Sequence, residues 1–174
     1  MSVLANYIKR SDVSIYYLFN RKIHCTFLDF LMKVITHLGS IVFSIVFPLV
    51  FLLSSKQEIK NIGFDLAYTL SISQLIVHSI KRLVRRPRPY KILKRAVAIN
   101  PPSCQYSFPS GHTCAAFSLA LPIINHIPVL MPILISLSVL VGISRIYLGF
   151  HYPTDVFIGC FIAYIAYIIN FSIL

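Results

Sequence analysis

The sequence contains few charged residues, and this scarcity excludes a water-soluble globular domain. Charged residues make up 12% of the 174 residues, whereas a soluble domain carries roughly a quarter. Hydrophobic residues make up 57%, and the mean hydropathy is +0.78. Much of the molecular surface is therefore expected to face lipid. One membrane-spanning helix needs about 20 apolar residues, so a single domain over residues 1–174 has room for roughly five spans.

Acidic residues are especially scarce, and tryptophan is absent. Five Asp and Glu stand against sixteen Lys and Arg, which gives a net charge of +11. A catalytic divalent cation needs several carboxylates or a compact cluster of His, Asp and Glu, and the sequence contains no such cluster. The cysteines lack Cys-x-x-Cys spacing, so we interpret them as small buried residues rather than metal ligands. They are Cys25, Cys104, Cys114 and Cys160. We therefore expect no metal and no cofactor.

The excess of positive charge narrows the possible partners. A basic protein can bind nucleic acid, an anionic membrane surface or an anionic substrate. Nucleic acid is the least suitable of these, because the basic residues do not lie on a soluble fold. We expect the partners to be the lipid bilayer and a phosphorylated membrane lipid substrate, with no nucleic acid and no obligate protein partner.

Apolar segments predict an all-α fold, a polytopic membrane helix bundle of about five to six transmembrane helices with an N-terminal amphipathic helix. The predicted spans are approximately residues 39–53, 62–80, 112–125, 129–146 and 153–174, and the first extends back into residues 31–38. Basic residues flank the largely apolar residues 13–19, which are therefore predicted to form the amphipathic helix at the membrane interface.

Counting the spans places the polar segments of the chain at one membrane face. The second predicted span delivers Lys81 to that face, and the third leaves it at His112. The fourth returns to it at Arg145, and the fifth leaves it again after His151 and Asp155. These residues are therefore expected to lie close together.

Three polar segments at this face carry the candidate chemistry, and they are residues 81–89, 109–112 and 144–155. A phosphoryl group in transfer spreads negative charge over its equatorial oxygens, and fixed positive donors stabilise it. Arg supplies a planar fork and Lys supplies a compact charge. We therefore assign phosphate binding to Lys81, Arg88 and Arg145.

The second segment predicts an anion site at the start of a helix. Pro109 precedes the third predicted span, so the free N–H groups of Ser110, Gly111 and His112 are expected to point outward. Gly111 also lets the backbone approach a ligand closely. A Ser-Gly pair before a helix is equally consistent with a simple helix cap.

The third segment holds a candidate nucleophile. His151 and Asp155 are four residues apart, so they share a face on a helical turn. A carboxylate that accepts one ring N–H leaves the other nitrogen free to attack. His112 is the candidate general acid for a leaving alkoxide. Other basic residues are interpreted as solvated interfacial charges rather than ligands: Arg82, Arg85 and Arg86.

Together the three segments resemble the tripartite signature of the type 2 phosphatidic acid phosphatase family, which is related to the vanadium haloperoxidases. In this sequence the signature is Lys, six residues, Arg-Pro; then Pro-Ser-Gly-His; then Ser-Arg, five residues, His, three residues, Asp. Every fixed position matches: Lys81, Arg88-Pro89, Pro109 to His112, Ser144-Arg145, His151 and Asp155. The resemblance runs from about residue 62 to the C-terminus.

The resemblance implies a metal-independent phosphatase that forms a phosphohistidine. His151 would be the nucleophile, Asp155 its orienting partner and His112 the proton donor. The residues that contact phosphate would be Lys81, Arg88, Ser110, Gly111, His112 and Arg145. The implied substrate is a membrane lipid that carries a phosphomonoester or a pyrophosphate, such as phosphatidic acid, phosphatidylglycerophosphate or undecaprenyl pyrophosphate.

Two other functions are considered. A non-catalytic lipid or phosphate carrier could use the same fold, although a carrier does not need the His151–Asp155 pair. Haloperoxidase chemistry is disfavoured by burial in the membrane. Basic residues beside the site favour a cytoplasmic active site, whereas the family resemblance favours a bacterial plasma membrane protein whose site faces outward. We expect the outward-facing arrangement.

Overall fold

The structure is a computed structural model that describes residues 3–102 and 104–173. These residues form helices and an isolated β-bridge between Pro87 and Tyr106, and they contain no β-strand. The α-helices of this part of the chain are α1 (Val3–Tyr17), α2 (Thr26–Thr36), α3 (Ile41–Leu52), α4 (Gln57–Val84), α5 (Pro89–Ile92), α6 (Gly111–His126), α7 (Met131–Tyr147) and α8 (Pro153–Ile173). The predicted all-α fold is confirmed.

Helix α6 forms the centre of the bundle. It packs against α4, α7 and α8, and its residues 113–120 are all buried. Small side chains at Ala115, Ala116 and Ala120 let the neighbouring helices approach closely. Because three helices enclose α6, their ends are held in a fixed arrangement around its N-terminus.

The number of membrane spans differs from the prediction. By length and apolar composition, two helices among the described residues can cross a membrane, Pro128–Tyr147 and Pro153–Ser172. Thr26–Gly39 and Ile41–Leu52 pass the test as a pair bent by 51°, which gives up to three spans. The predicted count of five to six is therefore not reached by this measure.

Two of the predicted spans fall short for identifiable reasons. Helix α4 carries polar residues that the bundle buries, among them Asp65, Thr69 and Ser73. Its composition is therefore less apolar than that of a helix surrounded by lipid. Helix α6 has 16 residues, fewer than the approximately 20 that a full span needs.

The end of the bundle remote from Lys81 holds a separate polar cluster. His126 Nε2 lies 2.7 Å from Asp65 Oδ2, and Asn170 Nδ2 donates to Asp65 Oδ1 at 3.3 Å. The cluster joins α4, α6 and α8 at this end. It also gives partners to a carboxylate that would be costly to bury alone.

Helix α1 packs on the bundle through a polar stripe. Asp12, Tyr16 and the following Asn20 recur every four residues and are all buried. The large apolar residues of this region are exposed instead, and they include Tyr7, Ile8, Ile15 and Leu18. The amphipathic helix predicted over residues 13–19 is thus part of a longer helix whose outer surface carries both these apolar side chains and the charged Lys9 and Arg10. Such an outer surface suits contact with lipid.

The cysteines differ from the prediction that all are buried. Cys114 is buried and Cys160 is half-buried, but Cys25 and Cys104 are exposed, and all four are free thiols. The Cys25 carbonyl accepts a hydrogen bond from the Tyr147 hydroxyl at 3.2 Å, near the C-terminus of α7. Both exposed cysteines therefore lie at the same end of the bundle as the predicted site, because the Cys104 carbonyl accepts from Arg88 Nε at 2.7 Å.

Candidate active site

Four helix ends meet at one face of the bundle, as the span count predicted. Lys81 lies near the C-terminus of α4 and Arg145 near that of α7, whereas Gly111 opens α6 and Asp155 lies in the first turn of α8. The Ser110 N–H donates to the Asp155 carbonyl at 2.9 Å, which joins the starts of α6 and α8 directly. The three motif segments are therefore brought together in space.

His151 lies at the centre of this arrangement and is 2% exposed. Its Nε2 is 3.4 Å from Arg88 Nη1, so this nitrogen faces the positive side chains. Burial, reinforced by the charges of Arg145, Arg88 and Lys81, lowers the pKa of His151 well below its usual value. The imidazole is therefore neutral at physiological pH, which is the form that can act as a nucleophile.

The turn that carries His151 is held by residues distant in sequence. Asn20 Nδ2 donates to the carbonyls of Val97 and Tyr147, both at 2.8 Å, and Asn20 Oδ1 accepts from the Val97 N–H at 2.8 Å. Gly149 has a φ of +89°, and an added Cβ would collide with the Val97 carbonyl. Glycine is needed here because both the backbone conformation and the close approach exclude a side chain.

Asp155 is close to His151 without forming the predicted hydrogen bond. Its Oδ2 is 3.6 Å from His151 Nδ1, a separation beyond hydrogen-bond range. The backbone N–H of Tyr152 donates to the same Oδ2 at 2.8 Å. His151 Nδ1 has no hydrogen-bond partner among the described residues. A movement of a few tenths of an ångström would bring the two groups into contact.

Arg86 was predicted to be a solvated interfacial charge, and that prediction is wrong. Its Nη1 donates to Asp155 Oδ1 and its Nη2 donates to Asp12 Oδ2, both at 2.7 Å. Burial alone would lower the pKa of Arg86, but the carboxylates of Asp155 and Asp12 outweigh burial and raise it. Arg82 and Arg85, by contrast, are exposed as predicted.

The predicted phosphate-binding cations lie near His151, and Arg88 is the one that faces its Nε2. Arg88 and Arg145 are each 3% exposed, and Lys81 is half-buried and donates to the Tyr106 carbonyl at 3.2 Å. Burial lowers the pKa of Arg88 from its usual value. Such a concentration of buried positive charge favours an anionic ligand.

Arg145 retains unused donor capacity. Its Nη1 donates to the Thr36 hydroxyl at 2.8 Å, and its guanidinium carbon lies 4.7 Å from the centre of the Phe150 ring. Its Nε is buried and has no hydrogen-bond partner within residues 3–102 and 104–173. These contacts fix the plane of the guanidinium and leave N–H groups that a bound oxyanion can satisfy. Thr36 lies outside the three motif segments, so no sequence pattern predicted its contact with Arg145.

The start of α6 differs in one detail from the predicted anion site. The Ser110 N–H already donates to Asp155, and the Ser110 hydroxyl is hydrogen-bonded to the Thr113 hydroxyl at 2.8 Å. Ser110 therefore caps α6. The N–H groups of Gly111 and His112 make no hydrogen bond to any described residue, so these two are unoccupied donors at the helix N-terminus, where anions are favoured.

Comparisons with known proteins give matches in both sequence and structure. The PAP2 superfamily matches residues 62–174. The chain is 31% identical over 113 residues to an undecaprenyl-diphosphatase of Sulfolobus acidocaldarius, and the alignment covers 64% of this chain and 55% of that protein. The chain thus spans little more than half of that relative.

Two solved structures share the fold along nearly the whole chain. The crystal structure of Aquifex aeolicus LpxE has a TM-score of 0.79 at 30% identity, and the match covers 92% of this chain and 94% of that one. A transmembrane PAP2-type phosphatidylglycerolphosphate phosphatase from Bacillus subtilis has a TM-score of 0.77 at 26% identity, with 97% and 86% covered. The bundle is therefore that of transmembrane phosphatases.

Proposed function

The chain belongs to the PAP2 superfamily, and from this premise we propose that it is a membrane lipid phosphatase that works through a phosphohistidine at His151. The observation that carries the proposal is the buried, neutral His151, whose Nε2 faces Arg88 while its Nδ1 faces Asp155. The orienting carboxylate thus lies on the Nδ1 side of the imidazole ring, and the attacking Nε2 faces a cation of the anion-binding cluster.

The first chemical step is attack of His151 Nε2 on phosphorus. A nitrogen–phosphorus bond forms as the bond between phosphorus and the lipid oxygen breaks. As the ring becomes positive, the proton on Nδ1 is stabilised by Asp155, which is 3.6 Å away in the structure. Lys81, Arg88 and Arg145 bind the phosphoryl oxygens, together with the N–H groups of Gly111 and His112 at the start of α6.

His112 supplies the proton that the departing lipid needs. It is half-buried at the first turn of α6 and lies close enough to interact electrostatically with Arg145, His151, Arg88 and Lys81. Burial and these cations both disfavour a charged imidazole, and the negative charge of a bound phosphate offsets the cations and so favours the protonated form. In the second step His112 accepts a proton from water, which attacks phosphorus, breaks the nitrogen–phosphorus bond and releases inorganic phosphate.

The substrate is a phosphate or diphosphate on a membrane lipid. Candidates are phosphatidic acid, phosphatidylglycerophosphate and undecaprenyl pyrophosphate. The similarity to the Sulfolobus undecaprenyl-diphosphatase and the Bacillus phosphatidylglycerolphosphate phosphatase supports the last two. A phosphate-release assay on the purified protein against these three lipids tests the proposal. Release from one or more of them supports it, whereas binding without release from any would favour the non-catalytic carrier.

Activity is expected to persist in excess EDTA and to be inhibited by vanadate. Lys81, Arg88 and Arg145 would repel a cation from the phosphate position, and Asp155 is already paired with Arg86. Vanadate adopts the five-coordinate shape of the transferring phosphoryl group and would occupy its place next to His151. Phosphate release measured with EDTA, and with EDTA followed by magnesium, checks this expectation. Activity lost in EDTA and restored by magnesium would contradict it.

The active site is proposed to face outward from a bacterial plasma membrane. Basic residues at this end of the bundle favour the cytoplasm by the usual charge rule. Four of them are, however, engaged within the site rather than in exposed loops: Lys81, Arg86, Arg88 and Arg145. Part of the positive charge at this end is therefore explained by substrate binding and internal pairing, and this part does not indicate a cytoplasmic location.

Exposed cysteines give a direct measure of sidedness. In intact cells, a membrane-impermeant maleimide is expected to label Cys104 and Cys25, which are exposed at the active-site end. The two single substitutions Cys104→Ser and Cys25→Ser identify which thiol reacts. Labelling that requires permeabilised cells would place the site in the cytoplasm and contradict this proposal.

A further inference from the structure

A network of buried polar contacts joins α1 to the start of α8, and the mechanism proposed above does not use it. Asp12 of α1 is 4% exposed. Its Oδ1 accepts from the Thr154 N–H at 2.9 Å, and its Oδ2 accepts from the Thr154 hydroxyl at 2.6 Å. Arg86 Nη2 donates to the same Oδ2 at 2.7 Å. Asp12 therefore holds both the backbone immediately before Asp155 and the arginine that binds Asp155.

Arg86 connects the two carboxylates. Its Nη1 donates to Asp155 Oδ1 at 2.7 Å and to the Thr154 hydroxyl at 2.8 Å. Its guanidinium carbon lies 3.9 Å from the centre of the Tyr152 ring. Stacking and hydrogen bonds at both Nη atoms leave the guanidinium little freedom to rotate.

The network fixes the orientation of Asp155. Arg86 binds Oδ1 and the Tyr152 N–H binds Oδ2, so both oxygens are restrained and Oδ2 stays toward His151 Nδ1. Without Arg86, the Tyr152 N–H alone would restrain the orientation of the carboxylate, and a buried negative charge would lose its main partner. The tautomer and ring orientation of His151 depend on that carboxylate.

We infer that Asp12 and Arg86 are positioning residues for Asp155 and, through it, for the proposed nucleophile His151. The inference rests on the proposed function. By this inference the active site also requires α1, a helix that precedes the residues 62–174 matched by the family. Neither residue touches the proposed phosphate position, so both act on the rate of reaction more than on substrate binding.

If Asp12 and Arg86 served only to attach α1 to the bundle, removal of another α1 anchor should have a similar effect on activity. Helix α1 and the turn after it have other anchors, among them the Tyr16 hydroxyl on the Gly149 carbonyl at 3.5 Å and the three hydrogen bonds of Asn20. Tyr16→Phe removes one of these anchors without touching the network. It is therefore the matched control for Asp12→Asn, and exposed Arg82→Ala is the control for Arg86→Lys.

Steady-state kinetics of the full-length protein separate the two roles. Asp12→Asn and Arg86→Lys are each expected to lower kcat by about 10- to 100-fold, the range in which misplacement of a catalytic group falls. KM is expected to change by less than about threefold, because Lys81, Arg88 and Arg145 remain in place. Asp12→Glu should recover part of the loss, and both controls should stay close to wild type.

A double substitution shows whether the effect passes through Asp155. In an Asp155→Asn background, Arg86→Lys is expected to cost less than about threefold in kcat, because the group that it positions is already disabled. The inference would be overturned if Arg86→Lys lowered kcat by the same factor in the Asp155→Asn background as in the wild type. It would also be overturned if the single variants kept kcat within about threefold of an active wild type. Failure of the wild type to release phosphate from any of the lipids would overturn the proposed function and this inference together.

Discussion

Replacement of His151 by Ala is expected to abolish turnover, with a loss of about 10⁴-fold or more. The proposed route passes through a bond between Nε2 and phosphorus, and the methyl group of alanine has no atom that can form this bond. The remaining cations would still bind the lipid phosphate. The expected variant therefore binds substrate and releases no phosphate.

The experiment needs a check on folding, because His151 is buried. His151→Gln keeps much of the side-chain volume and the hydrogen-bonding capacity, and it should be equally inactive. His78→Ala is the matched control, since His78 is exposed and bonds only to the Gln74 carbonyl of its own helix. Retained turnover in a folded His151→Ala protein, judged by thermal unfolding in detergent, would exclude the phosphohistidine mechanism.

Arg145→Lys is expected to lower kcat/KM by about 100-fold or more, although it conserves the charge. One arm of the guanidinium is held by the Thr36 hydroxyl at 2.8 Å, and Nε remains available to a phosphoryl oxygen. The Lys ammonium has a single donor centre and cannot hold Thr36 and a phosphoryl oxygen in the same fixed geometry. Arg82→Ala, which removes an exposed charge from the same face, should have a small effect.

Steady-state kinetics on the lipid that the wild type hydrolyses fastest check this prediction. Thr36→Val offers a graded comparison, because it removes only the group that orients Arg145. It should show an intermediate loss. Near-native efficiency of Arg145→Lys would mean that Arg145 contributes charge alone and that the forked contact is unimportant.

Much of the site was predictable because its residues occur in short segments next to helix ends. The order of the spans required Lys81, His112, Arg145 and His151 to come to one face, and the structure brings them there. Polar residues at the ends of apolar helices are costly to bury in lipid, so they collect at the membrane face. The family match over residues 62–174 agrees with the resemblance drawn from these segments.

The network around Asp155 was not predictable from local sequence. Asp12 is separated from Thr154 by 142 positions and from Arg86 by 74, and a lone acid in a short helix has many possible roles. Arg86 is adjacent to exposed Arg85, and composition gives no way to tell the two apart. The recurrence of Asp12, Tyr16 and Asn20 at intervals of four was the available signal, since such spacing places polar residues on one helix face.

Length and hydropathy identify fewer spans than predicted for a related reason. Apolar length identifies helices that face lipid on every side, but α6 is enclosed by α4, α7 and α8, and α4 buries one side against its neighbours. This packing allows polar Asp65 and Ser73 in α4 and a helix of 16 residues in α6. Sequence hydropathy does not distinguish a short or polar helix inside a membrane protein from one outside the membrane.

Detection of the phosphoenzyme tests the central claim most directly. Wild-type protein would be mixed with lipid that carries a radiolabelled phosphate and quenched in alkali during turnover, because phosphohistidine survives alkali and hydrolyses in acid. The account predicts label on the protein that is lost on acid treatment, maps by mass spectrometry to His151, and is missing from His151→Ala. Label on a different residue, or phosphate release by an active wild type with no labelled protein at any quench time, would contradict it.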